Sequence, residues 1–298
     1  MSGPTGHESF GNDSGVEAGT LYLCGTPIGN LEDITLRALR ILKEVDLIAA
    51  EDTRRTGNLL RAYDIRTPLI SLHEHNERTR SEEIIRRLAA GETVAVVSDA
   101  GMPGISDPGA LLVQRCVEAG HRVVPVPGPT AFVAALVASG LSTERFVFEG
   151  FLPRQGRARR EALEKLSSEA RTIILYEAPH RLQRLLSDLV QHLGASRLAV
   201  VARELTKVHE TFVRGTLAEL EEHFQRHAPR GECVVLVAGG KSDAPGEHGD
   251  DEVDQEAIGE ALAARMEEGM SRRDAIREVA AEWNLPRRLV YEIAVRKK

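Results

Sequence analysis

An acidic pair, Glu51-Asp52, directly follows an apolar run of the sequence, and Arg54 stands close behind it. A carboxylate in this position can accept a proton from a hydroxyl, and a neighbouring guanidinium can stabilise the oxyanion that is left. Arg54 can equally form an ion pair with one of the two carboxylates, so its role stays open. Other candidates are the bases His73 and Glu177 and the cations Arg203 and Lys207. We prefer the acidic pair as the source of a base, because His73 is equally well explained as a loop histidine.

The triplet His73-Glu74-His75 has the residue types of a metal site. Alternating side chains on an extended segment point to opposite faces, however, and no third ligand is evident. We therefore expect no bound metal.

Three loops combine glycine and proline with polar residues, and each follows an apolar run. They cover residues 25–30 (GTPIGN), 98–109 (SDAGMPGISDPG) and 125–131 (PVPGPTA). Glycine lets a backbone approach a ligand closely, and the second loop is long for a simple connection in a compact domain. Open α/β sheets bind ligands at the carboxyl ends of their strands, so the loops predict a ligand site. For the first loop taken alone, a tight turn that binds nothing remains the alternative.

Short apolar runs alternate with amphipathic stretches from residue 20 onward, which indicates strands separated by helices. The earlier runs are almost continuously apolar, as in a largely parallel sheet covered on both faces. After Gly140 the alternation starts again, and the stretch 210–215 before another helix indicates that some strands there are antiparallel. Strands are predicted at 21–24, 45–50, 93–97, 123–126, 146–148, 172–176, 198–202, 211–213 and 233–237, and helices at 36–42, 81–88, 111–119, 157–168, 180–193 and 216–225. The predicted fold class is α/β.

The chain divides into five predicted segments. They are a disordered tail (1–19), an N-terminal α/β domain (20–140), a C-terminal α/β domain (141–240), an acidic linker (241–255) and a helix-turn-helix-like module (256–298). In the module, Ser271 with Asp274 forms a capping-box-like start, and Pro286 suits the first turn of the last helix. The arginines of the module can contact a nucleic acid backbone, or they can form the solvated face of a packing module.

The net charge of −7 is concentrated in two segments. Residues 1–19 contribute −3 and residues 241–255 contribute −5, which leaves +1 for the rest of the chain. Positive charge clusters after Phe151, at Arg154, Arg157, Arg159 and Arg160. This cluster is suited to RNA, through phosphate contacts and one stacked base. The alternative is the solvated start of a helix.

The three cysteines, Cys24, Cys116 and Cys233, lie far apart, so neither a disulfide framework nor a CxxC metal knuckle is expected. No apolar run approaches the roughly 20 residues that span a bilayer, and the N-terminus has no signal-peptide pattern. We therefore expect a soluble, cytoplasmic protein without a membrane partner.

The three loops, in their order and spacing, and residues 174–181 (ILYEAPHR) resemble the tetrapyrrole methylase family. Residues 51–54 (EDTR), 72–76 (LHEHN) and 203–207 (RELTK) are similar to its branch that methylates a ribose 2′-hydroxyl of 16S rRNA in the small ribosomal subunit. The resemblance implies two α/β domains of the class III methyltransferase type, S-adenosylmethionine in the cleft between them, and a homodimer. By position it places the cofactor contacts at Ile28, Asp99, Gly101, Met102, Gly128, Thr130, Ala131, Tyr176 and Ala238.

The resemblance further implies that the modified nucleoside is a cytidine. On the chemistry given above, the candidate catalytic residues are Glu51, Asp52, Arg54 and Lys207. The Gly-Asp-Pro that is usual in the tetrapyrrole enzymes is Ser98-Asp99-Ala100 here, which weakens the case for a tetrapyrrole substrate. Three alternatives stay open. They are the same fold acting on a tetrapyrrole or a protein side chain, a ligand-sensing DNA-binding regulator, and an inactive ribosome-binding factor.

Overall fold

The structure is a computed structural model, and it describes residues 15–229, 231–240, 255–267, 269–283 and 287–296. The chain forms two compact units, one up to Gly239 and one from Gly240 onward. The first unit contains two sheets and the second contains helices. None of the helices in the described part of the chain is long and apolar enough to cross a membrane.

The first sheet is entirely parallel, with the strand order β3-β2-β4-β1-β5. Alternate residues of the central strand β4 belong to two different core clusters, Val94 and Val96 to one and Ala95 and Val97 to the other. Both faces of this sheet are therefore covered, as the continuous apolar runs predict. Its elements are β1 (Thr20–Cys24), α1 (Leu36–Glu44), β2 (Leu47–Ala50), α2 (Thr53–Ala62), β3 (Leu69–Ser71), α3 (Glu77–Ala89), β4 (Val94–Val97), α4 (Ala110–Glu118) and β5 (Arg122–Val126), with a 3-10 turn at Leu31–Asp33.

The second sheet is mixed, with the strand order β6-β7-β10-β8-β9. Strands β6 and β7 are parallel, whereas β10 is antiparallel to both of its neighbours and β8 is antiparallel to β9. The predicted antiparallel pairing is thus confirmed. Its elements are α5 (Ala131–Ser139), β6 (Phe146–Phe151), α6 (Gly156–Ser167), β7 (Thr172–Glu177), α7 (Pro179–Leu193), β8 (Leu198–Arg203), β9 (Thr211–Thr216), α8 (Leu217–Arg226) and β10 (Cys233–Val237).

Helix α5 lies within the predicted N-terminal domain, yet it packs against the second sheet. Its Ala135 and Leu136 share a core cluster with Ile174 and Val234. The connection between the two sheets is therefore the loop before α5. This loop is short, so the strand-to-helix loops of the first sheet lie near the edge of the second sheet.

Two elements of the first sheet escape the sequence pattern. Strand β3 is only half-buried and follows Pro68, and α2 contains Gly57 and few apolar residues. The local sequence does not favour these two elements. Tertiary contacts stabilise them instead, and Asp52 caps α2.

Part of the predicted disordered tail is ordered. Glu17 forms an ion pair with Arg122, its backbone N–H donates to the Tyr22 hydroxyl at 2.8 Å, and Val16 packs against the core. The prediction is therefore wrong for residues 15–19. The rest of the tail, residues 241–254 of the linker, and Pro286 lie outside the described residues.

The second unit contains α9 (Gln255–Glu267), α10 (Arg272–Glu282) and α11 (Arg287–Arg296). The three helices share an apolar core that includes Ile258, Val279 and Val290. As predicted, Ser271 caps α10 by accepting a hydrogen bond from the Asp274 backbone N–H.

Candidate active site

The three glycine-bearing loops are joined by backbone hydrogen bonds at the carboxyl edge of the first sheet. Thr26 and Gly101 exchange two bonds, with N···O distances of 2.9 and 3.0 Å. The Gly25 N–H donates to the Val126 carbonyl at 3.2 Å. The loops that follow β1, β4 and β5 thus form one rigid surface, as their position at parallel strand ends predicts.

Two glycines make the close approach of these loops possible. A Cβ built on Gly25 would lie 2.7 Å from the Gly128 Cα and 2.8 Å from the Met102 Sδ. A Cβ on Gly128 would lie 2.9 Å from the Gly25 Cα. Any side chain at either position would push the loops apart. Gly128, one of the residues that the resemblance assigns to the cofactor site, does not itself line the cleft described below, but its lack of a side chain lets the loops approach.

A cleft of about 230 Å³ opens between these loops and the edge of the second sheet. Of the predicted cofactor contacts, seven line it: Ile28, Asp99, Gly101, Met102, Thr130, Ala131 and Tyr176. Thr130 and Ala131 stand where α5 begins, and the Tyr176 hydroxyl accepts a hydrogen bond from the Phe132 N–H at 3.2 Å. One cleft therefore collects residues from all three loops and from β7.

Ala238 is not part of the cleft. Cys233 and Val234, at the start of β10, line it, and Ala238 follows the far end of that strand, roughly 16 Å away at the usual rise per residue. The reason is strand direction. Because β10 runs antiparallel to β7, its amino end reaches the cleft, whereas the residue that the family resemblance indicated follows its carboxyl end.

Carboxylates outnumber cations in the cleft. The acidic residues that line it are Glu51, Asp99, Asp107, Glu177, Glu204 and Glu232, and the basic ones are Arg55 and Lys207. This balance favours a ligand that carries positive charge.

Glu51 and Asp99 form a bonded web with Arg55 at the first-sheet wall. The Glu51 carboxylate accepts the Asp99 N–H at 3.2 Å, and Asp99 accepts the Asp52 N–H at 3.1 Å. Arg55 forms an ion pair with Asp99 at 3.2 Å. Burial raises the pKa of Glu51, and the negative charge of Asp99 adds to this effect. Arg55 did not stand out in the sequence, although it follows the EDTR motif directly.

Asp52 and Arg54, which were expected to be catalytic, are bonded to each other outside the cleft lining. Asp52 caps α2 through the Arg54 N–H at 2.8 Å and holds the Arg54 guanidinium at 2.9 Å. The side-chain hydrogen bond from Arg54 is the main reason that the pKa of Asp52 falls to about 2. A carboxylate with so low a pKa is a weak proton acceptor, so the geometry favours the ion-pair alternative.

Lys207 does line the cleft, where its Nζ lies 2.9 Å from Glu204 Oε1. Its stem also lies against the first loop, since a Cβ on Gly29 would meet the Lys207 Cγ at 2.6 Å. The loop that carries it is strained, because Glu204 and Thr206 both have positive φ. Strain of this kind is common at functional sites.

Asp107 is a cleft residue that the sequence reasoning missed. Burial and then the negative charge of Glu51 raise its pKa to about 7, and Asp99 and Glu232 contribute in the same direction. It stands in the long second loop beside Ser106, which has positive φ. No local pattern marks it, because the charges that surround it come from both sheets.

The chain matches the family model described as "Tetrapyrrole (Corrin/Porphyrin) Methylases" over residues 20–221. This match spans the three loops, the first sheet, the strands of the second sheet other than β10, and every residue that lines the cleft as far as Lys207. The chain belongs to the tetrapyrrole methylase family. It is a methyltransferase, and the methyl donor of the family is S-adenosylmethionine.

Relatives within this family cover almost the whole chain. The chain is 50% identical over 278 residues to "Ribosomal RNA small subunit methyltransferase I" of Synechocystis sp., which covers 93% of this chain and 98% of that protein. A protein of the same name from Bacillus subtilis is 44% identical over 283 residues, covering 93% of this chain and 94% of its own. The Escherichia coli O157:H7 protein of that name is 50% identical over 238 residues, covering 79% and 82%.

Solved structures of tetrapyrrole methylases share the fold. A cobalt precorrin-4 methyltransferase superposes with a TM-score of 0.57 at 20% identity, covering 74% of this chain and 95% of that one. Uroporphyrin-III-C-methyltransferase from Thermus thermophilus gives 0.53 at 21% identity, covering 74% and 94%. These likenesses show the architecture of two α/β domains.

The cleft of this methylase fits the methyl donor by its chemistry. S-adenosylmethionine carries a sulfonium and an ammonium group, and six carboxylates against two cations suit such a ligand. The close Gly25–Gly128 contact joins the first and third loops, whose neighbouring residues line the site. Among the six, Glu177 is buried, and its Oε1 accepts hydrogen bonds from Arg181 and the Ala178 N–H.

The four arginines expected to bind RNA separate into two kinds. Arg154, Arg157 and Arg160 are exposed around the start of α6, close in sequence to Phe151, which lines the cleft and is 51% exposed. Arg159 is 5% exposed, and its guanidinium bonds to Asp188 at 2.7 Å and to the Pro153 carbonyl at 2.9 Å. Arg159 is therefore a core ion-pair residue and is unavailable to a phosphate.

Two further candidates from the sequence, His73 and Arg203, do not line the cleft. Asn76 Oδ1 accepts the His73 backbone N–H at 2.9 Å, which makes the segment a turn leading into α3. Within the described residues, no group of three or more His, Cys, Asp or Glu side chains is arranged to hold a metal ion. Cys24, Cys116 and Cys233 are buried free thiols.

Proposed function

We propose that this methyltransferase transfers a methyl group from S-adenosylmethionine to the ribose 2′-hydroxyl of a cytidine in 16S rRNA of the small ribosomal subunit. One observation supports the choice of RNA above others. Near-full-length similarity joins the chain to proteins named as small-subunit ribosomal RNA methyltransferases, at 50% identity in the Synechocystis case. The cytidine and the 2′-oxygen rest on the sequence motifs EDTR, LHEHN and RELTK.

The cofactor contacts of the proposal are Ile28, Asp99, Gly101, Met102, Thr130, Ala131 and Tyr176, with Gly128 shaping the floor of the site. Asp99 is the anchor of this set. It is fixed by Arg55 on one oxygen and by the Asp52 N–H on the other, so its position is set before a ligand binds. A prepared carboxylate of this kind suits an ammonium or hydroxyl donor.

The bound cofactor supplies an electrophilic methyl group on a positively charged sulfur. The chain's own contribution is alignment, since in-line displacement depends on the angle and distance of the attacking oxygen. The joined loops fix the floor of the cleft, while Ile105, Phe151 and Leu205 provide apolar walls that displace water. We propose that Glu51 is an acidic group that faces the reacting hydroxyl. We propose that Lys207 is the cation that stabilises the negative charge developing on the hydroxyl oxygen.

RNA is proposed to approach past the start of α6. The exposed guanidinium groups of Arg154, Arg157 and Arg160 supply phosphate contacts, and the exposed ring of Phe151 at the cleft supplies a surface for an unstacked base. Arg157 is also held by Glu161 at 2.5 Å, so it is positioned along the helix. In this proposal the acidic cleft binds the cofactor, and the basic start of α6 binds RNA.

We further propose that the protein acts in the cytoplasm as a homodimer. A cytoplasmic setting is consistent with three buried free thiols and with the absence of a membrane-spanning helix among the described residues. Sedimentation of the purified chain measures the oligomeric state directly, and a monomer at micromolar concentration would remove the dimer from the proposal.

Transfer of labelled methyl to purified small subunits from cells that lack the enzyme tests the proposed reaction. Alkaline digestion leaves a 2′-O-methylated dinucleotide intact, so the label is expected in such a dinucleotide. Asp99→Asn removes the anchor and should abolish labelling, whereas Asp64→Asn is the matched control, because Asp64 is 87% exposed. Label in a porphyrinogen and none in the subunit would refute the RNA substrate while leaving the methyltransferase in place.

A further inference from the structure

Asp107 stands where the long second loop meets the second sheet. A Cβ built on Gly150 of β6 would lie 3.0 Å from the Ser106 Oγ, so the loop residue directly before Asp107 contacts that strand. Gly150 has a φ of +60° and Ser106 a φ of +61°, so both sides of the contact are backbone conformations that L side chains rarely adopt. This contact fixes Asp107 between the two walls of the cleft.

Charged and polar groups face Asp107 from several elements. Glu51 follows β2, Asp99 lies in the same loop, and Glu232 precedes β10, and each acts to keep its proton bound. The Ser98 hydroxyl, which donates to the Ala100 and Gly101 carbonyls at 3.4 Å, acts in the opposite direction. On β7, burial raises the pKa of Tyr176, and the negative charge of Asp107 adds to this effect. Arg55, the nearest cation in the web, is paired with Asp99.

We propose that Asp107 is the general base that accepts the proton of the substrate hydroxyl. This assignment rests on the proposed function, since it requires a hydroxyl nucleophile. The hydroxyl O–H bond breaks and its proton moves to a carboxylate oxygen of Asp107. The electron pair left on that oxygen forms the new O–C bond to the methyl group, while the C–S bond of S-adenosylmethionine breaks and sulfur keeps its pair.

Three other cleft carboxylates already hold hydrogen-bond donors. Asp99 is bonded to Arg55 and the Asp52 N–H, and Glu204 to Lys207. Glu51 accepts the Asp99 N–H. These bonds occupy carboxylate oxygens that could otherwise accept the substrate proton. Asp107 lines the same cleft, and burial raises its pKa to about 7, close to the optimum for a general base at neutral pH.

Two variants and two measurements test the assignment. Asp107→Asn is expected to lower single-turnover methyl transfer by roughly 100- to 10,000-fold, the usual contribution of a general base. Its affinity for S-adenosylmethionine, measured by calorimetry, should stay within a few-fold of the wild type. In the ligand-free protein, ¹³C NMR of the aspartate carboxyls should show a signal titrating near pH 7 that Asp107→Asn removes.

The pH profile separates a base from a structural aspartate. Wild-type transfer should rise with pH through a limb near 7, since the deprotonated carboxylate is the active form. Glu232→Gln removes a neighbouring negative charge, so the limb should move to lower pH. Glu222→Gln on α8, whose Glu222 side chain is 68% exposed, is the matched control and should leave the limb unchanged.

Wild-type activity in Asp107→Asn, or a limb that Glu232→Gln does not move, would overturn the assignment and leave the proposed function intact. A wild-type chain that labels no ribosomal subunit would overturn the proposed function and the assignment with it. If Asp107→Asn does not fold, the Glu232→Gln profile still decides the question.

Discussion

Substitution of Gly128 by alanine tests whether the contact between loops builds the cofactor site. The new Cβ would lie 2.9 Å from the Gly25 Cα and 3.0 Å from its carbonyl carbon and oxygen. Ordinary van der Waals contact between carbons requires about 3.5 Å or more, so the two backbones must separate by about 0.5 Å. Neither partner is the end of a flexible side chain, so the strain cannot be relieved by a rotamer change.

The separation is transmitted to the ligand contacts. The Gly25 N–H is held by Val126, and the next residue, Thr26, is held to Gly101 by two bonds, so displacement at Gly128 moves the first and second loops together. Misplacement on the order of 1 Å costs enzymes about 100-fold in rate. We expect a loss of about 10- to 100-fold in S-adenosylmethionine affinity, and overpacking to cost about 1–3 kcal/mol of stability.

Calorimetric titration with S-adenosylmethionine, together with urea unfolding, measures both quantities. Gly57→Ala is the matched control, because a Cβ there would meet only the Leu69 Cδ1, at 3.9 Å. That variant should keep its affinity and gain roughly 0.5–1 kcal/mol of stability, since alanine suits a helix better than glycine. If Gly128→Ala binds as tightly as the wild type, the close loop contact is not what forms the site.

Three further changes probe other parts of the molecule. Arg159→Leu leaves Asp188 with a partly buried and unpaired charge, and should cost about 3 kcal/mol in urea unfolding; a cost near zero would contradict the core role of the ion pair. Asp107→Asn should raise the melting temperature more at pH 8 than at pH 4. The folded-state pKa of about 7 lies above the ordinary pKa of an aspartate, so the wild type loses stability as pH rises between the two values; an equal gain at both pH values would contradict the raised pKa. Gly150→Ala should reduce methyl transfer. The control Gly194→Ala, also at positive φ but with open space around it, should reduce stability alone. Equal effects of the two variants on transfer would show that the contact between Gly150 and the second loop does not support the reaction.

The sequence predicted the first sheet and its loops well, because a parallel sheet has a simple rule. Continuous apolar runs mark its buried strands, and their carboxyl ends share an edge. Knowing the strands therefore placed residues of the loops after β1, β4 and β5 in one site before any distance was known. Asp99, Gly101 and Thr130 lie in these loops, and the family resemblance then indicated them as individual cofactor contacts.

Arg159 shows a signal that was present in the sequence and overlooked. It stands four and seven residues before Leu163 and Leu166, so all three lie on one face of α6, and all three are buried. Helical periodicity therefore separates Arg159 from Arg157 and Arg160, which lie on other faces of the helix. Counting arginines in a cluster hides this difference.

Asp52 and Ala238 were misplaced for different reasons. For Asp52, a position directly before a helix has two readings, a cap or a cleft acid, and only the observed bond to the Arg54 N–H selects the cap. For Ala238, the position was carried over from the family resemblance, and it lies after the end of β10 that points away from the cleft, because β10 is antiparallel to β7. Strand direction depends on pairing, which a single sequence does not encode locally.

The reversed strand also explains why the base candidate was missed. Because β10 is antiparallel between β7 and β8, its first residue, Cys233, pairs with both Glu177 and Arg203. The edge that faces the cleft therefore carries the carboxyl ends of two strands and the amino end of a third, which gathers Glu177, Glu204 and Glu232 on one side. Opposite them stands the loop that bears Asp107. Its raised pKa depends on burial and on charges from both walls, so it exists only once both sheets are assembled. The pKa that suits Asp107 to accept a proton at neutral pH thus arises from the order of the strands, and it can be recognised only when that order is known.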